Sequence, residues 1–568
     1  MPLSLVRLLG LAVGLAIGMV GAGAAQAAPV DWSLEVARAA LTNEQGKPFS
    51  GASRAWHYTQ GFYLHGIGLV YERTRDPRLL THLKQWGARH VEPDGRIVQA
   101  PGGASVDLST LDNLMPGRVL LQLWRLTGEQ RYRLAAETIR QRLKDWPRTM
   151  DGAFWHRDDP NSRFASNVIW ADGTFMFAPF LVEYGRLFPA DGTTGRDEAA
   201  RQMEIYGRHL QDPETGLIWH AYDQDRDFAW ARLPAPRHSP VLWCRAAGWY
   251  GLSLVAVLEA LPQGHPHRTA LLNRLVSLMK GYRAHQSATE YGWRQVMDGP
   301  DVIQTAGGPL ANFVETSCSA MHSYVIGRAV AAFGLRLPDF HLAAMGLQAV
   351  TEQVSLNFVP ETGIFRATLA GAVRGTGIGA GPADYLNSAS IVDDALQGLG
   401  AFLAMYESSL RQPPPGSVRI HVQAEAGKVT APLHMVAFPN QAGVTLVAAP
   451  AGTNSLASVA AAGRDLIHIQ LAKAGKYRLW GRFLAPSLAR NSLWVRVDAG
   501  SWQLWDARPH GETLFWEPLR TGIGYARLVV LALAAGPHTI ELANREGGTG
   551  IDRVLLTSAP TYVPDRSD

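Results

Sequence analysis

The stretch TLDNLMPGRVLLQLWRLTGEQRY, residues 110–132, decides the fold class. Its apolar residues return at three- and four-residue spacing, the run stops at Gly128, and a second helical pattern begins at about residue 131. The same pattern continues from Val30 to about Arg411, with segments ending at Gly or Pro. It predicts helices near 32–42, 56–73, 78–90, 112–126, 131–144, 170–187, 196–210, 243–260, 267–286, 317–333, 338–355 and 391–408, with no strand-like runs between them. Periodicity alone gives an all-α class. The helix count adds the closed ring: twelve helices fit an (α/α)6 barrel, an inner ring backed by an outer one. Its pocket lies at one end, lined by inner-helix termini and loops.

Gln412-Pro413-Pro414-Pro415-Gly416-Ser417 reads as a linker, and after it the period switches to two. Strands are predicted at 418–426, 466–472, 477–485, 492–498, 526–533 and 538–544, forming an antiparallel β-sandwich. At the other end, Arg7, the apolar run Leu8–Val20 and Ala25-Gln26-Ala27 read as a secretory signal with its cleavage site. The expected organisation is therefore a signal peptide at 1–27, a barrel at 28–411, a linker at 412–417 and a sandwich at 418–568.

With 47% hydrophobic and 18% charged residues, the composition is that of a folded protein with a large core. A net charge of +4 without a long basic run gives no nucleic-acid signature. No later segment is long and apolar enough for a membrane span, so the expectation is a protein exported to the periplasm or the outside, with no membrane partner after signal cleavage. Cys244 and Cys318 lie in apolar helical segments and are read as buried free thiols. The 17 Trp tilt the composition toward carbohydrate, because indole faces stack on sugar C–H surfaces.

In IWADGTFMFAPF (169–180) a single carboxylate, Asp172, sits among aromatic and apolar residues. Such surroundings raise a carboxyl pKa, as a general acid near neutral pH requires. Asp112 stands in a like position at the start of another helix, and a carboxyl pair can divide acid and base roles. The competing reading makes both residues helix N-caps. HSPVLWCRAAGWYG (238–251) places Trp243, Arg245 and Trp249 at a helix start, a planar cation with flat faces that suits a sugar acid; an ordinary core helix has the same pattern. GAFWHRDD (152–159) presents His156 and Arg157, and DPETGLIWHAYD (212–223) presents His220. DQDRD (223–227) fails as a calcium loop, with Phe228 at the turn-glycine position, and GTGIGAG (375–381) lacks the strand–helix unit of a nucleotide site. The motifs of metal and serine-nucleophile catalysis are missing, so no cofactor is expected.

In order along residues 55–408, these segments resemble the unsaturated rhamnogalacturonyl hydrolases of glycoside hydrolase family 105, and more distantly the unsaturated glucuronyl hydrolases of family 88. The resemblance is carried by 110–132, PRTMDGAFWHR (147–157), IWADGTFMFAPFL (169–181), TGLIWHAYD (215–223), WCRAAGWYGLSLVAVLEALP (243–262), FVETSCSAM (313–321), and RGTG (374–377) with DDALQGLGAF (393–402). It implies an (α/α)6 barrel that takes an oligosaccharide ending in a Δ4,5-unsaturated uronic acid and hydrates the double bond. Asp172 would be proton donor and water activator, Asp112 the second carboxylate, and His220, Trp243, Arg245, Trp249, Arg157 and His156 the pocket. Two departures bear on preference: Ser166-Asn167-Val168-Ile169 replaces a Pro-Gln pair, and Asp384-Tyr385-Leu386 replaces a Tyr-Tyr pair.

The C-terminal part resembles galactose-binding-like carbohydrate modules of the jelly-roll type, some of which hold calcium. Trp502, Trp505 and Trp516 are then either an exposed sugar platform or core residues of a structural appendage. The alternatives for the whole chain are a polysaccharide lyase or sugar epimerase on the same toroid, or a non-catalytic glycan receptor.

Overall fold

The computed structural model describes residues 30–42, 55–159, 166–191, 193–335, 339–360, 364–408, 410–414, 416–509, 511–521, 527–566 and 568; the expected signal peptide lies outside them. Thirteen α-helices are described: α1 (Trp32–Ala39), α2 (Tyr58–Thr74), α3 (Pro77–His90), α4 (Gly117–Thr127), α5 (Gln130–Lys144), α6 (Ala171–Leu187), α7 (Thr194–Leu210), α8 (Cys244–Ala260), α9 (Arg268–His285), α10 (Thr316–Phe333), α11 (Phe340–Glu352), α12 (Pro382–Asn387) and α13 (Leu396–Tyr406). All twelve predicted helices are present, and α12 is a short addition.

Helices α2, α4, α6, α8, α10 and α13 contact one another in turn, and α13 closes on α2. The remaining long helices stand outside this ring, each against its sequence neighbour, so the architecture is an α/α barrel. Side-chain chemistry separates the layers. Helix α8 is buried along most of its length, as a helix apolar all round must be. Outer helix α5 buries Tyr132, Ala135, Ala136, Ile139 and Leu143 on one stripe and keeps its charges outward. Gly128 ends α4 in the left-handed conformation at φ 72°, with its N–H on the Trp124 carbonyl.

The connections are not strand-free, contrary to expectation. Antiparallel pairs join Val168–Trp170 to Ala221–Asp223, Val302–Thr305 to Gly308–Ala311, Val354–Val359 to Ile364–Leu369, and Ala372–Val373 to Ile391–Val392. Runs of two to six residues are too short for a period of two to stand out. The predicted start of the last helix at 391 belongs to one of these pairs.

Cys244 and Cys318 are not free thiols. They form a disulfide, with Cα atoms 5.8 Å apart, between the first turns of α8 and α10. The two helices are ring neighbours, which a sequence separation of 74 residues conceals.

The C-terminal region is β-rich: a five-stranded and a seven-stranded antiparallel sheet share one apolar core that includes Ile467, Phe483, Val495, Trp505 and Leu542. Trp505 is 0% exposed and Trp516 is 1% exposed, so neither is a platform. Trp502 is partly exposed and lies between the guanidinium groups of Arg464 and Arg496, 4.8 and 4.6 Å from the ring centre. The Pro-rich segment does not separate two independent bodies. Trp480, Trp516, Leu555, Tyr562 and Val563 join the barrel's own core cluster. Arg411 pairs with Asp565 and Asp568, and Trp516 Nε1 donates to the Asp565 carbonyl. Among the described residues, no helix is long and apolar enough to cross a membrane.

Candidate active site

Asp172 lies in the first turn of inner helix α6, while Asp112, His156 and His220 stand on the connecting segments, and backbone bonds between these segments set the arrangement. The Leu111 N–H donates to the His156 carbonyl, the His156 N–H to Val168, and the Ala171 N–H to His220. Thr110 bridges Arg157, and Trp219 bridges Leu242. These links bring Asp112, His156, Asp172 and His220 together from segments up to 108 residues apart (220 − 112).

Neither aspartate is a helix cap. Trp170 holds the N-cap position of α6 without a side-chain cap bond, and Asp172 lies one residue inside the first turn. Asp112 sits in a 3-10 turn, Leu111–Asn113, ahead of the Pro116 N-cap of α4. Both carboxylates are thus released from the competing role.

His220 Nε2 lies 3.2 Å from Asp172 Oδ2, at ion-pair distance but off hydrogen-bond alignment. His156 Nε2 lies 3.9 Å from Asp112 Oδ1. The His156 ring stacks on Trp170 at 4.4 Å, and His220 packs against Trp243 at 4.2 Å. Asp112 Oδ1, His156 Nδ1, Asp172 Oδ2 and His220 Nε2 are buried atoms without a hydrogen-bond partner among the described residues. Four orphaned polar atoms in one place mark a site built for something else to complete.

The electrostatics reverse the expectation for Asp172. Burial favours its neutral form, but contact with His220, then the fields of His156 and Arg245, outweigh burial and hold its carboxyl below the usual range. Asp112 takes the raised value instead, pushed up to about 7 by burial and by the charge of Asp172, against the pull of Arg157. Burial lowers His156 to about 4, so it is neutral near pH 7. An apolar sequence neighbourhood predicts desolvation but not a histidine arriving from residue 220.

A cavity of about 550 Å³ opens beside Asp112, lined also by His57, Asp107, Asn113, Arg157 and Asp158; Asp172 is not among its lining residues. Arg157 is exposed there and forms no ion pair among the described residues. Arg245 does not face this cavity. It is 1% exposed, lies 3.6 Å from Glu315, and donates to Ser317 Oγ and to the carbonyls of Val373 and Arg374 at 3.2, 2.9 and 2.6 Å. A buried guanidinium must be paired, and here the protein itself supplies the partners. Trp249 is 0% exposed among Phe62 and Phe175, and Trp243 is 1% exposed behind His220, so neither ring offers an open face to a sugar. Sequence reasoning missed Trp170, Tyr385 and Glu315 as parts of this site. The candidates His156 and Arg157 were legible as a pair, and the structure separates them into a buried wall and an open cation.

Among the described residues no cluster of three or more His, Cys, Asp or Glu is arranged to hold a metal ion. Comparison with known proteins puts the chain among the α/α-barrel glycoside hydrolases. It belongs to glycosyl hydrolase family 88, whose family model matches residues 33–412. It is similar to the unsaturated rhamnogalacturonyl hydrolase YesR of Bacillus subtilis strain 168, at 26% identity over 268 residues, 47% of this chain and 68% of that protein. Protein Atu3128 of Agrobacterium fabrum is 34% identical over 250 residues, 41% of this chain and 98% of that protein. Among solved structures, a family 105 glycoside hydrolase of C. acetobutylicum ATCC 824 matches with 29% identity and a TM-score of 0.55, over 62% of this chain and 93% of that one.

Proposed function

We propose that this glycoside hydrolase removes a Δ4,5-unsaturated uronic acid from the non-reducing end of lyase-generated oligosaccharides by hydrating the double bond. The observation that carries the reading is the carboxyl pair at the barrel mouth, whose surroundings push the two groups apart: Asp112 up to about 7 and Asp172 low. Family membership and the unsaturated-uronide activity in the name of YesR support the substrate class.

Below about pH 7 the two carboxyls keep one proton between them, and at rest it sits on Asp112. The substrate brings a carboxylate of its own. Once the substrate is bound, the shared proton passes from Asp112 to Asp172. Asp172 then protonates C4, a water oxygen bonds to C5, and the Asp172 carboxylate takes the water's proton. The resulting hemiketal opens and the glycan departs. Because the anomeric carbon is not attacked, the spacing of the two carboxyls does not dictate a retaining or inverting outcome. Above about pH 7 Asp112 ionises, the pair holds no proton, and kcat/KM is expected to fall about tenfold per pH unit in steady-state assays.

Arg157, not Arg245, is the group that meets the uronate. Arg157→Gln is expected to raise KM roughly ten- to a hundredfold, the worth of a charge-assisted hydrogen bond, with thermal stability unchanged. The same variant moves the alkaline limb of the pH profile upward, because Arg157 pulls the Asp112 carboxyl downward.

We read residues 1–27 as a removed export signal, 28–411 as the catalytic barrel, 412–417 as the connection and 418–568 as a galactose-binding-like module that covers the barrel. The Cys244–Cys318 disulfide supports an oxidising destination. The test is ultraviolet absorbance of the conjugated double bond in purified lyase products of pectin or glycosaminoglycan. Loss of absorbance on adding the enzyme is the expected result. A gain on intact polysaccharide means a lyase, and binding with neither change means a receptor; either overturns the reading.

A further inference from the structure

Asp172 does not meet His220 alone: the imidazole has a second partner. His220 is 0% exposed, and its Nδ1 lies 2.8 Å from the hydroxyl of Tyr385, a residue also 0% exposed. Tyr385 belongs to α12, more than 160 residues further along the chain (385 − 220 = 165), on the connection between α11 and α13. The scaffold fixes that connection near its start. Arg245 holds the carbonyls of Val373 and Arg374, and Glu315 accepts the Val373 N–H at 2.9 Å. Gln295 Nε2 reaches the Tyr385 carbonyl at 3.4 Å, while its Oε1 accepts from Trp243 Nε1 at 3.3 Å. Tyr385 is therefore placed by the same set of buried groups that backs the catalytic pair.

We propose that Tyr385 is a positioning residue for the hydration step: its hydroxyl donates to His220 Nδ1 and so fixes the imidazole as the tautomer whose N–H, at Nε2, faces Asp172. The proposal rests on the hydrolase reading above. A neutral imidazole has one donor and one acceptor nitrogen, and the bond made by one nitrogen decides the role of the other. Burial raises the Tyr385 phenol well above its ordinary pKa, so it keeps its proton. Among the described residues Nδ1 is the one hydrogen-bond partner of this buried hydroxyl, so only donation to Nδ1 satisfies its hydrogen. The N–H thereby presented at Nε2 favours the charged form of Asp172 until substrate arrives. The other titratable or charged groups acting on Asp172 are His156, Arg245, Asp112, Tyr58 and Tyr385 itself. Of these, only Tyr385 hydrogen-bonds to the His220 ring.

Two measurements test this. The first is nitrogen-15 NMR of His220 in the unliganded wild-type protein, which needs no turnover: Nδ1 is expected bare and Nε2 protonated, and the opposite assignment overturns the proposal. The second is kcat/KM against pH for wild type and Tyr385→Phe on purified unsaturated oligosaccharides. The variant is expected to lose ten- to a hundredfold in kcat, with KM within about twofold and the acidic limb moved to higher pH, because the N–H dipole 3.2 Å from the Asp172 carboxylate is no longer fixed. A loss of activity with the limb unmoved would reduce Tyr385 to a packing residue. If the double bond is never consumed, the hydrolase reading fails while the NMR result still stands or falls by itself.

Discussion

Asp172→Asn is expected to lower kcat by at least about 10³-fold, within the range that general acid–base groups contribute, while the variant still folds and binds oligosaccharide. The fold survives because Asp172 caps nothing: Trp170 occupies the N-cap, and the only helical role left to Asp172 is a first-turn charge. That charge contributes about 0.3–1 kcal/mol, so the thermal midpoint should barely move. Asparagine also keeps an acceptor oxygen for His220 Nε2, 3.2 Å away in the wild type. A second readout ties the variant to its partner. The Asp172 charge is one of the two causes that push Asp112 up to about 7, so Asp112 should titrate lower in Asp172→Asn, visible by carbon-13 NMR of its carboxyl. A folded Asn variant with wild-type turnover would sink the catalytic assignment.

Arg245→Met is expected to destabilise the protein by roughly 3–5 kcal/mol, as when one member of a buried ion pair is removed. Glu315 would stay behind, 0% exposed, with hydrogen bonds from Ser317, the Cys318 N–H and the Val373 N–H but no cation. The Arg374 carbonyl would lose its Arg245 donor as well, and the Val373 carbonyl would keep only Gln397 Nε2. Thermal unfolding should therefore shift down by several degrees, and kcat should fall because the connection bearing Tyr385 loosens. A group that clamped the substrate would behave otherwise, raising KM at unchanged stability, which is the result expected of Arg157→Gln. The two arginines thus separate by experiment: one braces the scaffold and the other stands open to solvent.

What the chain discloses on reading follows physical range. Helices α4 and α5 announce themselves because amphipathic spacing and a left-handed glycine are properties of neighbours in sequence. Asp112 and Asp172 were visible as carboxylates in poor surroundings for charge. Which of them keeps a proton was not, since that depends on His220 lying beside Asp172 and Arg157 lying near Asp112. The arginine among tryptophans in 243–249 read as a sugar-acid clamp because its partners come from residues 315–317 and 373–376. Cys244 and Cys318 were misread for the same reason: ring adjacency of α8 and α10 is a fact of the closed barrel. Tyr385 stood out only as a departure from a Tyr-Tyr pair, and nothing near it in sequence pointed to His220, 165 residues away.

The seam between barrel and module bears on how this enzyme is dissected. The Val563 N–H bonds to the Leu410 carbonyl, Gln348 both donates to and accepts from the Trp516 backbone, and Tyr291 donates to the Pro509 carbonyl. A fragment ending near residue 412 would take Arg566 from the Trp32 ring of α1, Arg478 from the Phe340 ring of α11 and Phe515 from the cluster around Met345, and leave Arg411 without Asp565 and Asp568. Lower activity in such a fragment would report a wounded catalytic body rather than lost glycan capture. Point changes on the outward sheet face, at Trp502 for instance, are the cleaner instrument for asking whether the module touches sugar.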